Sequence, residues 1–318
     1  MQVLSSVSHR DPLRWCDLPD RPLRLDEVRV NVRAAGVNPV DWKMRQGDLL
    51  GVAQRILGPR GPLVVGVDFA GDVAQVGSNV TDLKVGDRVV GGTDFSRGQF
   101  GSYARQVQVR ADQCALLPDN VDFADAACLP VAGVTAQTCL FSLGKLKERS
   151  DPRALILGAS GGVGHFAVQL ARIHGAVSVG VCSTRNVELV KRLGGIAIDY
   201  NQTDLQAAVA HHGPYDVIVD AVGGGAYAAK FCLQLLKPGG VRVLVVPSPA
   251  DYLSIALPGP TVTVLGRPNR ETLAPLVAEL AAGRLQVVIQ EKIPMDQAER
   301  AHEVSRAGKV VGKLVLVA

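Results

Sequence analysis

Seven consecutive residues, Gly158-Ala159-Ser160-Gly161-Gly162-Val163-Gly164, carry the sharpest chemical signal in the chain. They follow an apolar run at residues 153–158 and open a stretch of helical spacing at 163–173. Glycines let a backbone approach a pyrophosphate closely. The unpaired N–H groups and positive dipole of a helix N-terminus then hold it. The spacing is G-x-x-G-x-x-G, with Ala159 where the usual dinucleotide fingerprint has its first Gly. Ser160, Gly161, Gly162 and Val163 are therefore the expected pyrophosphate contacts. The plain alternative is a glycine-rich turn that binds nothing. A place at the head of a strand–helix series is what favours a dinucleotide.

The end of the next strand discriminates between nicotinamide dinucleotides. An Asp or Glu there would accept hydrogen bonds from a ribose 2′-hydroxyl and favour NAD. The segment reads Cys182-Ser183-Thr184-Arg185-Asn186, and no acid follows until Glu188. Ser183, Thr184 and Arg185 suit a 2′-phosphate through charge-assisted hydrogen bonds, so the expected cofactor is NADPH. The competing reading is that Ser, Thr and Asn here cap the next helix. Val222-Gly223 ends the fourth strand of the series and belongs beside the cofactor. No Ser-His-Asp set, paired-carboxylate site or P-loop is evident, and the six histidines (9, 165, 174, 211, 212 and 302) are scattered.

The elements that must position these groups change rhythm along the chain. Residues 27–37 alternate, with Val28, Val30 and Val32 on one face and Glu27, Arg29 and Asn31 on the other, as in a half-buried strand. Stretches at 63–77, 85–92 and 101–109 continue this rhythm between glycines, suggesting a barrel-like sheet. From 153 the pattern alternates strands with helices. Strands are expected at 176–182, 196–200, 215–222 and 241–246. Helices are expected at 186–194, around 203–211, and at 226–236, the last ended by Pro238-Gly239-Gly240. That order implies parallel βαβ units in a doubly wound sheet. The tail reads as a helix at 270–282, a strand at 286–291, a helix around 296–306 and a strand at 311–317.

The chain's 318 residues suit about two domains. The 34 basic and 30 acidic side chains are interleaved, which argues against nucleic-acid binding. No apolar run reaches the roughly 20 residues of a membrane span, and no secretory signal is visible. Cys16, Cys114, Cys128, Cys139, Cys182 and Cys232 form no C-x-x-C pair, so they read as separate thiols in a reducing cytoplasm.

Taken together, Ala35-Gly36-Val37-Asn38-Pro39-Val40-Asp41-Trp42-Lys43, Gly66-Val67-Asp68-Phe69-Ala70-Gly71, Val85-Gly86-Asp87-Arg88-Val89, Ala132-Gly133-Val134-Thr135-Ala136, the glycine loop and the closing Gly312-Lys313 resemble the zinc-independent medium-chain dehydrogenase/reductases of the quinone oxidoreductase family. Within that family the chain looks nearest to the chloroplast envelope homologues and their bacterial relatives. The resemblance implies an α/β protein. A β-rich GroES-like catalytic domain spans 1–118, a Rossmann domain of doubly wound parallel sheet spans 119–268, and a C-terminal segment, 269–318, returns to the first. It implies an active site in the cleft between the two domains and, by analogy, a homodimer. It also implies reduction of quinones, or of the activated C=C bond of enals and enones, by hydride transfer from NADPH. The alternatives are an NADPH-binding regulatory or assembly protein with little turnover and, disfavoured, a zinc-type alcohol dehydrogenase.

Departures from the zinc-dependent members are informative. Those carry a Cys ligand where this chain has Asn38, a His-Glu pair where it has Val67-Asp68, and a four-Cys lobe that is missing here. No metal is therefore expected. By resemblance, Asn38 contacts the nicotinamide end or the substrate, against the alternative of a turn residue before Pro39. Thr135 is the nicotinamide-contacting threonine, against a helix hydroxyl bonding backward. Lys43, where some similar reductases have Tyr, would stabilise the developing oxyanion or donate a proton, against a surface lysine. Tyr200 and Lys313 are further cofactor contacts, and Tyr103 packs within the first domain.

Overall fold

The computed structural model describes residues 1–6, 11–47, 52, 56, 58–202 and 204–318. His9, Thr203 and residues 48–51, 53–55 and 57 lie outside the described residues. The chain divides into two units. The first comprises Met1–Val131, Arg267–Gly283 and Ile289–Ala318; the second comprises Ala132–Gly266 and Arg284–Val288.

In the first unit, strands β1 (Gln2–Ser6), β2 (Arg14–Asp17) and β4 (Leu63–Val64) form a three-stranded sheet in the order β2-β1-β4. A second sheet gathers β3 (Glu27–Val37), β5 (Asp68–Val76), β6 (Arg88–Gly92), β7 (Gln106–Arg110) and β8 (Cys114–Leu116). The alternation in β3 holds, and Val28, Val30 and Val32 enter the core. Glu27 departs from it: this residue of the polar face is buried, because Arg21 clamps its carboxylate at 2.6 and 2.9 Å. A bidentate guanidinium compensates the lost hydration.

The second unit holds six strands, β9 (Arg153–Leu157), β10 (Val177–Cys182), β11 (Ile196–Asp199), β12 (Tyr215–Asp220), β13 (Leu236–Leu244) and β14 (Thr261–Thr263). All pair in parallel, in the order β11-β10-β9-β12-β13-β14. This is the doubly wound order in which ligands meet the carboxyl ends of the strands. The helix expected at 226–236 is shorter, Ala229–Leu233, and Pro238-Gly239-Gly240 lies inside β13. The register shift between Tyr215 and Val217 absorbs these residues as a bulge, with Gly239 at φ 73°.

The tail adds β15 (Ile289–Pro294) and β16 (Lys313–Val317) to the larger sheet of the first unit. There β16 runs antiparallel to β3, setting Leu314 opposite Val37. No helix among the described residues is long and apolar enough to cross a membrane. All six cysteines are free thiols, five of them buried.

Candidate active site

Helix α1 (Pro39–Gln46) starts at Asn38, whose extended backbone and following proline set the turn. The Asn38 N–H donates to Asp41 Oδ2 at 2.8 Å, so the first turn is closed by Asp41. That leaves the Asn38 amide to look elsewhere. Its Nδ2 donates to Asp68 Oδ2 at 2.8 Å, and its Oδ1 accepts from Lys313 Nζ at 2.5 Å. The Lys313 ammonium also donates to Val37 O at 3.1 Å and stands 3.6 Å from Asp68 Oδ2. Asn38, Asp68 and Lys313 are 2%, 0% and 3% exposed, so this is a buried polar triangle. Asp68 Oδ1 accepts from the Val131 N–H at 2.9 Å. Gly36 is needed beside it, since a Cβ there would lie 2.7 Å from Asp68 Oδ2 and 2.3 Å from Ala127 O.

A second chain of polar groups shares Asp41. Tyr103 donates to Asp41 Oδ2 at 3.2 Å, and His302, on helix Ala298–Arg306, meets the Tyr103 hydroxyl through Nε2 at 3.3 Å. All three are fully buried, and Asp41 Oδ1 and His302 Nδ1 have no hydrogen-bond partner among the described residues. Burial, and then repulsion from Asp68, raises Asp41 to about 7. Burial also raises Asp68, against the pull of Lys313. Tyr103 is held well above its ordinary value by burial and then by Asp41, which suits a hydrogen-bond donor that keeps its proton. His302 is lowered to about 4, chiefly by burial.

The triangle brings Asn38 and Lys313 together. Lys313, expected by resemblance among the cofactor contacts, turns its ammonium to three protein oxygens. Lys43 stands apart from the triangle's bonds. It is half-buried in the last turn of α1, with Nζ 5.6 Å from the Trp42 ring centroid, and Trp42 Nε1 donates to Ser305 Oγ at 3.1 Å.

In the second unit the glycine loop joins β9 to helix α2 (Gly162–Ile173), with Gly158 at φ 81°. No acidic residue stands in the first turn of α2, so nothing there opposes an anion. A Cβ on Gly161 would meet only Gly158 O, at 3.4 Å, leaving open room above the helix N-terminus. A Cβ on Gly164 would lie 2.1 Å from Gly158 O, so this glycine serves loop–helix packing. The Asn186 amide donates to Ser160 Oγ at 2.8 Å and to Ser183 Oγ at 3.3 Å, joining the loop to the end of β10. Thr184 and Arg185 are exposed beyond it, and Tyr200 and Val222 are exposed after β11 and β12. Gly223, at φ 73°, follows Val222. Thr135 is buried in an irregular helix, and Gly266 packs on it so closely that a Cβ would come within 2.7 Å of Oγ1.

Two family models match the chain, the alcohol dehydrogenase GroES-like domain at residues 24–119 and the zinc-binding dehydrogenase at 195–316. Over 96% of its length the chain is 33% identical to the chloroplast envelope quinone oxidoreductase homolog of Arabidopsis thaliana, covering 93% of that protein. The chain belongs to the quinone oxidoreductase family of medium-chain dehydrogenases/reductases. It is also 34% identical to the chloroplastic NADPH-dependent alkenal/one oxidoreductase of the same plant, over 92% of this chain and 72% of that one. Among solved structures, the quinone oxidoreductase from Coxiella burnetii superposes with a TM-score of 0.86 at 29% identity, covering 100% of this chain and 98% of that one. The first unit is thus the GroES-like domain of this oxidoreductase family, and the second its Rossmann domain.

Several residues escaped the sequence reading. Asp68 stood there only as part of a motif, and Asp41 and His302 had no assigned partner. Their signal, a buried charge needing a counter-group, exists only once the strands pair. Asn186 stands at the N-cap of helix Val187–Arg192, as the competing reading has it, but its side chain makes no cap bond and bridges Ser160 and Ser183.

Proposed function

We propose that this protein reduces quinones or the activated C=C bond of α,β-unsaturated carbonyls, using NADPH and no zinc. When bound, NADPH supplies the hydride. The observation that carries the reading is the N-terminus of α2, which has no side-chain cap among the described residues and open room at Gly161, set beside a β10 end that offers Ser183, Thr184 and Arg185 and no acid. Gly162 and Val163 would hold the pyrophosphate with backbone N–H groups, Gly161, whose own N–H donates to Gly158 O at 3.0 Å, would give it room to approach, and Ser160 would stay anchored by Asn186. Ser183, Thr184 and Arg185 would take the 2′-phosphate. Tyr200, Val222 and Gly223 border the same strand ends, where a ligand of this fold lies.

The residues present do not fit zinc. Its family positions are held by Asn38, Val67 and Asp68, and an ammonium stands 2.5 Å from the Asn38 oxygen. Zinc needs three or four ligands. Among the described residues no group of three His, Cys, Asp or Glu side chains could hold a metal. Without a metal to polarise an alcohol, the favoured acceptor is already electron-poor. Conjugation then spreads the charge that arrives with the hydride. In this reading Asn38 and Thr135 orient the reacting partners, and the Lys43 ammonium stabilises the oxygen that becomes negative or returns a proton to it. A homodimer in the cytoplasm completes the proposal.

The test is NADPH oxidation with an enal, an enone and an ortho-quinone side by side, with NADH as control. Turnover of the enal or enone with a saturated product makes this an alkenal/enone reductase, and quinone-only turnover supports quinone reduction. Tight NADPH binding without turnover of any acceptor overturns the enzymatic reading in favour of a cofactor-binding regulator.

A further inference from the structure

The Asn38 amide has one orientation that its neighbours allow. Its oxygen faces the Lys313 ammonium at 2.5 Å and its nitrogen faces the Asp68 carboxylate at 2.8 Å. Turning the amide over would set NH2 against NH3⁺ and a carbonyl oxygen against a carboxylate. Two attractive contacts would become two repulsive ones in a water-poor site, where such errors are most costly. The ammonium is itself fixed by Val37 O at 3.1 Å and by its charge pairing with Asp68 at 3.6 Å. A buried ammonium with a single carboxylate is electrically balanced. The ammonium therefore acts on residues 38 and 68 together.

We infer that Lys313, paired with Asp68, locks the Asn38 amide in the orientation used for hydride transfer. This rests on the proposed reductase reading. Lys313 is a positioning residue, acting on the reaction through Asn38. The bland alternative is a structural ion pair that merely neutralises Asp68. The two differ in what happens when both charges are removed. A structural pair can be replaced by two neutral groups without loss of function, whereas a lock cannot.

The test uses the full chain in three forms: wild type, Lys313→Met, and the double variant Asp68→Asn/Lys313→Met. Protein labelled with ¹⁵N-asparagine reports solvent exchange of the Asn38 side-chain NH2, its signal assigned with Asn38→Ala. The lock predicts protection in the wild type and at least tenfold faster exchange in Lys313→Met. It also predicts a kcat at least tenfold lower in both variants, with NADPH Kd within threefold of wild type, even where the double variant recovers the wild-type melting temperature. Unchanged exchange in Lys313→Met overturns the inference whether or not the enzyme turns over. So does a double variant that regains kcat together with stability. If wild type turns over no acceptor, the reductase reading fails by itself, and the exchange measurement still decides whether Lys313 holds Asn38.

Discussion

Arg242 donates from Nη2 to Asp220 Oδ2 at 2.9 Å, with both side chains almost wholly buried in the second unit. The other Asp220 oxygen accepts from the N–H groups of Val222 and Gly223. Arg242 also reaches Tyr227 O at 3.1 Å and stands 3.6 Å from Asp251 Oδ1. One guanidinium thus steadies the turn after β12 and the first residue of helix Asp251–Ala256. Breaking a buried pair leaves an uncompensated charge, at a cost of about 3–5 kcal/mol. Arg242→Met is expected to lose stability on that scale and to weaken NADPH binding through the loosened Val222-Gly223 turn. Arg242→Lys should lose less, keeping the charge but not the planar fork. Urea unfolding of both variants checks this, and a wild-type midpoint for Arg242→Met would show that the pair carries no stability.

The two loop glycines are expected to separate binding from folding. Gly161 has φ −82°, which any residue adopts, and a side chain there would enter open room above α2. Gly161→Val should therefore cost less than about 1 kcal/mol of stability. It should also weaken NADPH by roughly tenfold or more, about 1.4 kcal/mol. At Gly164 an added Cβ overlaps Gly158 O, and overpacking of this kind costs about 1–3 kcal/mol. Gly164→Ala should lose melting temperature and affinity together. Equal thermal losses in the two variants would remove the pyrophosphate assignment from Gly161.

How much of this was legible in the chain follows from the range of each interaction. Val28, Val30 and Val32 announced β3 because period two is a local pattern, and the glycine loop announced a helix N-terminus for the same reason. The Asn38–Lys313 bond joins residues 275 apart, and the Tyr103–His302 contact spans 199 positions. No local pattern encodes such pairs, so the bond from Lys313 to Asn38 has no signal in the sequence. The short helix Ala229–Leu233 shows the opposite failure. Pro238-Gly239-Gly240 reads as a helix stop, yet the β12–β13 register shift admits it into a strand. Tertiary pairing overrode the local signal.

Arg185 is exposed just past β10, beside Thr184, with no acid at that strand end. If it binds the 2′-phosphate, Arg185→Ala should raise the KM for NADPH about 10- to 100-fold, the value of one charge-assisted hydrogen bond. The KM for NADH should stay nearly constant, since that cofactor carries a hydroxyl there. Side-by-side KM values decide, and equal changes with both cofactors would leave Arg185 as a mere surface residue.

Lys43 lies over Trp42 and takes no part in the Asn38–Asp68–Lys313 triangle. Its loss should therefore spare the buried cluster. Lys43→Met is expected to keep the melting temperature and the NADPH Kd while lowering kcat by about 100-fold, the low end for a positioned acid. Unchanged kcat would return Lys43 to an ordinary lysine packed on an indole.

Asp41 and His302 should pull stability in opposite directions with pH. Asp41 rises from 3.8 to about 7, so its folded form binds a proton that the unfolded chain has already lost. The stability this gives is complete below about 4 and disappears as pH climbs through about 7. Asp68, also raised, has the same sign. His302 falls from 6.5 to about 4, so between those values the unfolded chain binds the extra proton and stability increases with pH. One proton corresponds to a slope of about 1.4 kcal/mol per pH unit, and over the shared window the two largely cancel. Asp41→Asn should move the profile toward the histidine's sign, its slope between pH 4 and 6.5 more positive than that of the wild type. His302→Gln should unmask the carboxylates, giving stability that declines from pH 4 to about 7. Urea midpoints measured at half-unit pH steps for the three proteins test the signs. Parallel profiles would mean that neither group carries its buried charge state into the folding equilibrium.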